Sequence, residues 1–394
     1  MKPSINKALL IVASLVIALI ICEVGLRLLG IGYPDFFDYD PYVGSHLRPG
    51  VSGYYLKEGG GYVSINSDGL RDREHALQHP PNTLRIAVLG DSFAEAMQVN
   101  RDQTFWAIMA KELQSCTNLH GRRVEVLNFG QAGFGTAQEL LALRHRAWKY
   151  APDAVLLAIF TGNDVADNSP SMMQFPYNPY FTLEGGKLVL HDRETRKRWE
   201  EEQQKKSWGG EFKRWRQDHF RIFQVLQQGE KAFKTWWSQP RRTGQAAATP
   251  PASEPGLSDS IYREPTTKAW QDGWNVTEAL IRQMRDEVAA RGAKFSVVVL
   301  STGAQVDPDP AVRAAFAKSL GVQDLLYPDH RLEKFCQEEH IPILLLAPAF
   351  QQYAAAHHVY LHGFKGNLGG GHWNQNGHRL AGDTIAKWLC GQLH

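Results

Sequence analysis

Five short apolar runs after Pro81 constrain the fold of this chain more than any other feature of its sequence. They cover residues 84–89, 124–127, 154–160, 295–300 and 341–347. Each run is continuous rather than alternating and rich in Leu or β-branched residues, which is typical of strands buried on both faces of a parallel sheet. Helical patterns accompany them near residues 103–115, 136–150, 267–291, 331–340 and 375–393. The alternation predicts an α/β fold, a doubly wound parallel five-stranded sheet in an α/β/α sandwich.

An insertion interrupts the alternation at about residues 165–267. Its stretch from 193 to 242 carries fourteen Lys/Arg against seven Asp/Glu, with apolar side chains at helical spacing. These side chains are Trp208, Phe212, Trp215, Ile222, Leu226, Phe233 and Trp237. The pattern predicts a basic amphipathic helix that packs on its own domain, lies on anionic lipid head groups, or covers the functional site as a lid. Residues 239–260 are rich in Pro, Ala, Ser and Thr, which predicts a disordered linker.

The N-terminal region contains fifteen consecutive uncharged residues, 8–22. Fifteen helical residues span about 22 Å, so a membrane helix would need flanking residues as well. Lys2 and Lys7 precede the run and acidic residues follow it, which places the N-terminus in the cytoplasm and the rest of the chain outside. A cleaved signal peptide is the alternative, but no A-x-A-like site follows the run. We expect an anchor at 1–32, a neck with a small β element at 33–80, and the main domain at 81–394.

Composition excludes several classes of protein and site. The chain of 394 residues has 43 basic and 41 acidic side chains, so its bulk charge indicates neither a nucleic acid nor an acidic partner. Its four cysteines predict no disulfide framework and lack zinc-site spacing. No glycine-rich loop matches a dinucleotide-binding or P-loop pattern, so we expect neither a cofactor nor a metal ion.

Glycine and small polar residues follow three of the predicted strands and precede the last helix. The motifs are Gly90-Asp91-Ser92, Asn128 to Gly133, Gly162-Asn163-Asp164 and His372. Because parallel strands end at the same edge of a sheet, and open α/β sheets bind ligands there, these residues are expected to converge.

These four motifs, in this order, resemble those of the SGNH (GDSL-type) superfamily of serine esterases and acyltransferases. The resemblance covers residues 84–164 and 268–394 and implies the flavodoxin-like SGNH fold. It also implies that Ser92 is the nucleophile and His372 the general base, since a hydroxyl needs an adjacent base. The implied oxyanion hole consists of the Ser92 N–H, the Gly133 N–H and the Asn163 amide. The resemblance gives Asp91, Gly130 and Asp164 supporting roles.

One position departs from the family pattern. The family places an Asp three residues before the catalytic His, whereas this chain has Gly369 there. Either a backbone carbonyl orients His372, or a carboxylate arrives from elsewhere in the chain. His378 is a second candidate for the base, whereas we expect the remaining nearby histidines to be loop or surface residues. These are His357, His358 and His362.

The leading functional prediction is an extracytoplasmic serine esterase (periplasmic if bacterial), held to the membrane by its N-terminal helix. Its expected substrates are acyl or acetyl esters of glycans or lipids, because the anchor keeps the site beside the envelope. An O-acyltransferase to an envelope polysaccharide is open, since a sugar hydroxyl can resolve the same acyl-serine. An inactive glycan-binding relative is also open, and the missing Asp is its only support.

Overall fold

The computed structural model describes residues 3–205, 207–238 and 257–392. Most of the predicted linker, residues 239–256, lies outside these residues. The strands are β1 Phe37–Asp40, β2 Gly44–Leu47, β3 Ser52–Tyr54, β4 Tyr62–Ser64, β5 Thr83–Gly90, β6 Arg123–Asn128, β7 Ala154–Ile159, β8 Tyr180–Glu184, β9 Lys187–His191, β10 Lys294–Val299 and β11 Ile343–Leu345. The α-helices are α1 Pro3–Leu28, α2 Ser92–Glu95, α3 Phe105–Leu113, α4 Thr136–His145, α5 Asp164–Asp167, α6 Arg193–Gln204, α7 Trp208–His219, α8 Arg221–Ser238, α9 Lys268–Ala290, α10 Pro310–Leu320, α11 Tyr327–Glu338, α12 Ala347–His357 and α13 Gln375–Gln392.

The five predicted core strands form one parallel sheet in the order β11-β10-β7-β5-β6. This is the flavodoxin-like strand order, and it confirms the predicted doubly wound α/β class. Side chains of β5 alternate between two hydrophobic cores: Ala87 and Leu89 face one, and Ile86 and Val88 the other. The alternation explains why the run reads as continuously apolar, since helices cover both faces of the sheet.

The order of the strands places the predicted site. From β5 the chain passes first to β6 on one side and later to β7 on the other. The loops after β5 and β7 therefore diverge at the edge where their carboxyl ends meet, which is where such sheets bind ligands. Ser92 follows β5 and Asn163 follows β7.

The segment at 33–80 packs on the main domain. It contains two antiparallel pairs, β1 with β2 and β3 with β4. Its Val43 and Leu70 lie in one of the sheet's two hydrophobic cores. The Asp40 carboxylate accepts a hydrogen bond from Arg146 at 2.9 Å. The division of the chain into anchor, neck and main domain stays a prediction, but the proposed neck is in close contact with the catalytic sheet.

The insertion differs from its prediction in two respects. It includes an antiparallel hairpin, β8 with β9, that its sequence pattern did not indicate. The predicted single basic helix is divided into α7 and α8, because Phe220 between them has extended backbone angles. At this break the backbone N–H groups of Arg221 and Ile222 donate to the Glu23 carboxylate and not to carbonyl groups of α7.

The prediction that the cysteines form no disulfide was wrong. Cys116 and Cys390 are disulfide-bonded, with their Cα atoms 5.7 Å apart and a sequence separation of 274. Counting cysteines missed the pair because Cys336 is a buried free thiol, which behaves as a small apolar residue of the core. The disulfide connects the end of α13 to the loop after α3.

Helix α1 includes a segment, Lys7–Leu28, that is long and apolar enough to cross a membrane. None of its most apolar window is buried by the rest of the protein, unlike the core helix of a soluble domain. This segment of 22 residues is longer than the uncharged run of fifteen. Flanking residues therefore extend the apolar helix, as the thickness of a bilayer requires.

Candidate active site

Ser92 begins the short helix α2 at the tip of β5. Its predecessor Asp91 caps that helix and accepts a hydrogen bond from the Phe93 N–H at 2.8 Å. Gly90 is needed before this turn, because a Cβ at that position would lie 2.8 Å from the Ala94 Cβ. The turn thus presents a half-buried serine hydroxyl at the edge of the sheet where the sequence placed it.

His372 lies between Ser92 and a carboxylate that the sequence analysis did not identify. Its Nε2 is 2.8 Å from the Ser92 Oγ. Its Nδ1 is 2.5 Å from the Oε2 of Glu58, and its backbone N–H donates to the other Glu58 oxygen at 3.2 Å. A Ser–His–carboxylate arrangement is complete, with Glu58 in place of the absent aspartate.

The charge of Glu58 alters the protonation of His372. Burial alone would lower the pKa of His372, but the hydrogen bond and negative charge of Glu58 outweigh it and hold that pKa above its usual value. Burial would likewise raise the pKa of Glu58, but its hydrogen bond to His372 and the imidazolium charge lower it overall. The pair therefore favours an imidazolium–carboxylate state, which is the state a base reaches after taking a proton.

Glycines on both sides of the contact let Glu58 approach His372. Glu58 lies in the turn between β3 and β4, directly before Gly59, whose φ is +72°. A Cβ at Gly59 would collide with the Gln98 carbonyl, so this turn lies against the chain that follows α2. Opposite it, a Cβ at Gly371 would collide with the Glu58 carboxylate. The glycines before His372 thus make room for an acid from another segment.

The other nearby histidines have structural hydrogen bonds. The Nδ1 of His378 accepts from the Phe105 N–H at 3.3 Å, and burial lowers the pKa of His378 to about 3. His362 contacts the Gly371 carbonyl at 2.7 Å and the Ser301 hydroxyl at 3.1 Å, and burial lowers its pKa to about 4. Of the three, His372 is the one that contacts Ser92.

The predicted oxyanion-hole residues lie on the loops that follow three adjacent strands. Ser92 follows β5, Gly133 follows β6 and Asn163 follows β7. Gly133 has a φ of +80°, and a Cβ there would lie 2.8 Å from the Phe175 ring. Gly130 packs so closely on Ala94 that a Cβ would collide with it. Glycine is therefore required at both positions of the second motif.

Asn163 lies beside Asp91. Burial raises the pKa of Asp91 to about 6, although the Phe93 N–H and the Asn163 side chain both favour its carboxylate form. An amide nitrogen carries two N–H groups, so the Asn163 side chain has donors for a developing oxyanion. Asp164 has a different contact: its carboxylate accepts the Phe160 N–H at 2.8 Å, at the end of β7.

Four buried acids interact electrostatically with Asp91, the residue before the serine. Burial raises the pKa of Glu95 to about 8 and that of Asp167 to about 6. Burial also raises the pKa values of Glu139 and Asp164 well above their ordinary values. Such shifts increase the neutral fraction of each acid, because an unpaired charge is costly in an apolar interior, and the pKa of Glu95 keeps that acid mostly protonated at pH 7.

Glu58 and most of the buried acids were not identified from the sequence. Only Glu58 is accompanied by a recognisable sequence pattern. Of the buried acids, Asp164 was identified from the sequence, but Glu95, Glu139 and Asp167 were not. Glu58 is followed by Gly59-Gly60-Gly61, and His372 is preceded by Gly369-Gly370-Gly371. Two glycine triplets, one beside an acid and one beside the predicted base, are the sequence signal of their close approach.

No family model and no curated protein matches the chain. Among solved structures, 43 chains match. The acetyl xylan esterase AlAXEase is 11% identical, with 78% of this chain and 98% of that chain covered at a TM-score of 0.37. Axe2, an acetylxylan esterase from Geobacillus stearothermophilus, is 11% identical, with 77% and 93% covered at a TM-score of 0.37.

A structure from Desulfitobacterium hafniense, described as a lipolytic protein of the G-D-S-L family, is also similar. It is 11% identical, with 78% of this chain and 99% of that chain covered at a TM-score of 0.36. All three TM-scores and identities are low, so the function has to be inferred from the site itself.

Proposed function

We propose that this chain is a membrane-anchored, extracytoplasmic serine esterase of the SGNH type, which uses Ser92, His372 and Glu58 to form an acyl-enzyme. The observation that carries the proposal is the pair of contacts made by His372, 2.8 Å to the Ser92 hydroxyl and 2.5 Å to the Glu58 carboxylate. A hydroxyl is a weak nucleophile until such a base removes its proton.

In the proposed mechanism, the Ser92 Oγ attacks the ester carbonyl while its proton passes to the His372 Nε2. Glu58 accepts the Nδ1–H and stabilises the imidazolium that forms. The Ser92 and Gly133 N–H groups and the Asn163 amide bind the oxyanion, and loss of one such donor typically costs about 10²–10³ in kcat. His372 then protonates the leaving alcohol, and a water molecule hydrolyses the acyl-serine by the same steps in reverse.

Two observations support placement outside the cytoplasm. Lys2 and Lys7 precede the apolar segment of α1, as in a helix whose N-terminus is cytoplasmic. The Cys116–Cys390 disulfide belongs to an oxidising compartment, since cytoplasmic thiols are normally kept reduced. An anchored enzyme there meets the esters of the envelope, so we propose acyl or acetyl esters of glycans or lipids as its substrates.

Glu58 weakens the case for an inactive glycan-binding relative. The single argument for that alternative was the absence of an acid before His372, and a carboxylate now lies in that role. Activity-based labelling tests the proposal: a fluorophosphonate should modify the full-length protein at Ser92, as located by peptide mapping. His372→Ala should abolish the labelling, whereas His357→Ala, on the exposed end of α12, should leave it intact. Failure of the wild-type protein to react would refute the proposed nucleophile.

A further inference from the structure

Helices α7 and α8 expose aromatic side chains that a soluble domain would bury. The row consists of five rings in sequence order: Trp208, Phe212, Trp215, Phe220 and Phe223. Successive ring centroids lie 5.9, 5.8, 5.7 and 6.2 Å apart, so the row is unbroken. Trp208 is 84% exposed, Phe212 50% and Trp215 47%. Contiguous exposed rings of this kind mark an interaction surface.

The polar side of α7 is the side that is attached to the protein. Arg214 forms an ion pair with Asp38 of β1. Asp218 forms another with Arg48, which follows β2. An amphipathic helix of a globular domain normally turns its apolar side inward, and α7 has the opposite orientation. The ion pairs thus hold the aromatic row outward, which argues against a stripe packed on its own domain.

The aromatic row ends beside the C-terminal end of the anchor helix. Arg27 of α1 donates a hydrogen bond to the His219 carbonyl, the last residue of α7. The Glu23 carboxylate of α1 accepts from the Arg221 and Ile222 N–H groups, each at 3.1 Å. Arg221 in turn donates to the Leu26 carbonyl at 3.1 Å. The start of α8 is therefore fixed to the last two turns of α1.

We propose that the aromatic row lies in the interface of the bilayer that holds α1, on the side of the catalytic domain. The inference rests on the membrane insertion of α1, which is part of the proposed function. Tryptophan favours the head-group boundary, where its N–H is wet and its ring system apolar, and phenylalanine accompanies it on the apolar face of helices that lie in the interface. Residues 207–238 carry six Lys/Arg against three Asp/Glu, which fits anionic head groups. Anchor and row together fix the orientation of the catalytic domain to the membrane.

The test uses full-length protein reconstituted into liposomes of phosphatidylcholine with phosphatidylglycerol. Cys22→Ser removes the exposed free thiol, and the other free thiol, Cys336, is buried. A nitroxide is attached singly at Phe212→Cys, at Ile17→Cys in the anchor, or at Leu77→Cys, a matched control that is also exposed. Accessibility to oxygen and to an aqueous nickel complex then gives the depth of each label. Retained esterase activity shows that each variant is folded.

We expect the labels at positions 17 and 212 to lie in lipid and the label at 77 in water. Position 17 in lipid with 212 in water would overturn the inference and leave the anchor intact. Position 17 in water would refute both the anchor and the inference. Spin–spin broadening at position 212 in dilute protein would instead assign the row to contact between two copies.

The charge of the lipid is tested with a second pair of variants. Lys213→Glu on α7 should reduce the protection of the label at 212 in anionic liposomes but not in pure phosphatidylcholine. Lys268→Glu, an exposed lysine on α9, should have no effect in either lipid. If the label at 212 in the Lys213→Glu protein were protected equally in the two lipids, the proposed attraction to anionic head groups would be refuted.

Discussion

Glu58 and His372 are 314 residues apart in sequence, yet the Oε2 of Glu58 lies 2.5 Å from the Nδ1 of His372. The carboxylate comes from a turn between two short strands near the N-terminus and not from the loop that carries the histidine. Its two oxygens contact the ring and the backbone N–H of the same residue, so it fixes both the tautomer and the position of the imidazole.

Glu58→Gln is expected to lower kcat by roughly 10³–10⁴, because an amide can hold the imidazole in the wrong tautomer. Glu58 also raises the pKa of His372, and the base must be neutral to act. Activity is therefore lost as pH falls through that raised pKa, and Glu58→Gln should move the acid limb of kcat/KM to lower pH. A pH–rate profile measures both effects. An unchanged limb with full activity would mean that Glu58 has no influence on the base.

Ser92→Ala and His372→Ala should each remove nearly all hydrolysis of p-nitrophenyl acetate. The double variant should be little worse than either single one, because the two residues act as a unit. The melting temperature should change little, since both side chains are partly exposed. Substantial activity in Ser92→Ala would show that another residue is the nucleophile.

Asn163→Ala should lower kcat about a hundredfold and leave KM nearly unchanged, since the amide binds charge that develops mainly in the transition state. Asn118→Ala is the matched control, because that amide hydrogen-bonds the Cys390 carbonyl at a distance from the serine. Steady-state kinetics of the two variants test the role. A rise in KM alone would make Asn163 a substrate contact.

Glu95 should make the protein less stable at alkaline pH. Burial raises its pKa from an ordinary 4.5 to about 8, so the folded state keeps a proton that the unfolded state releases. Its contribution is fully present below pH 4.5 and is lost as pH rises through 8. Glu95→Gln imitates the protonated acid. Between pH 4.5 and 8, the melting temperature of this variant should therefore fall by several degrees less than that of the wild type. Glu112→Gln, exposed on α3, is the control. Parallel curves for Glu95→Gln and the wild type would contradict the assignment.

Fusions to reporter enzymes test the orientation. Alkaline phosphatase joined after about residue 80 should be active, because the proposed topology puts the N-terminus of α1, with Lys2 and Lys7, in the cytoplasm. A reporter that works only in the cytoplasm should be silent at the same position. The opposite pattern of activities would reverse the proposed topology.

The sheet could be predicted because its strands are buried on both faces and read as continuous apolar runs. The same pattern places Ser92, Gly133 and Asn163 after strand ends that share an edge, whereas the choice of His372 and the roles of all four residues came from the family resemblance. Glu58 could not be predicted, because the pairing of a surface turn with a loop near the other end of the chain leaves no periodic signal. Helices α10 and α12 were also missed, although Asp309, Pro310 and Gly321 give α10 the start and stop signals of a helix.

The disulfide ties the end of α13 to the core, and α13 begins three residues after His372. A crosslink across a sequence separation of 274 lowers the conformational entropy of the unfolded chain, which stabilises the fold by about 6 kcal/mol in the chain-entropy treatment. That contribution exists only where thiols are oxidised, and the pair cannot form before the chain has been synthesised as far as Cys390. Under the proposed topology, the protein reaches its full stability only once residue 390 has crossed the membrane, so the proposed esterase site matures on the side where its substrates are expected.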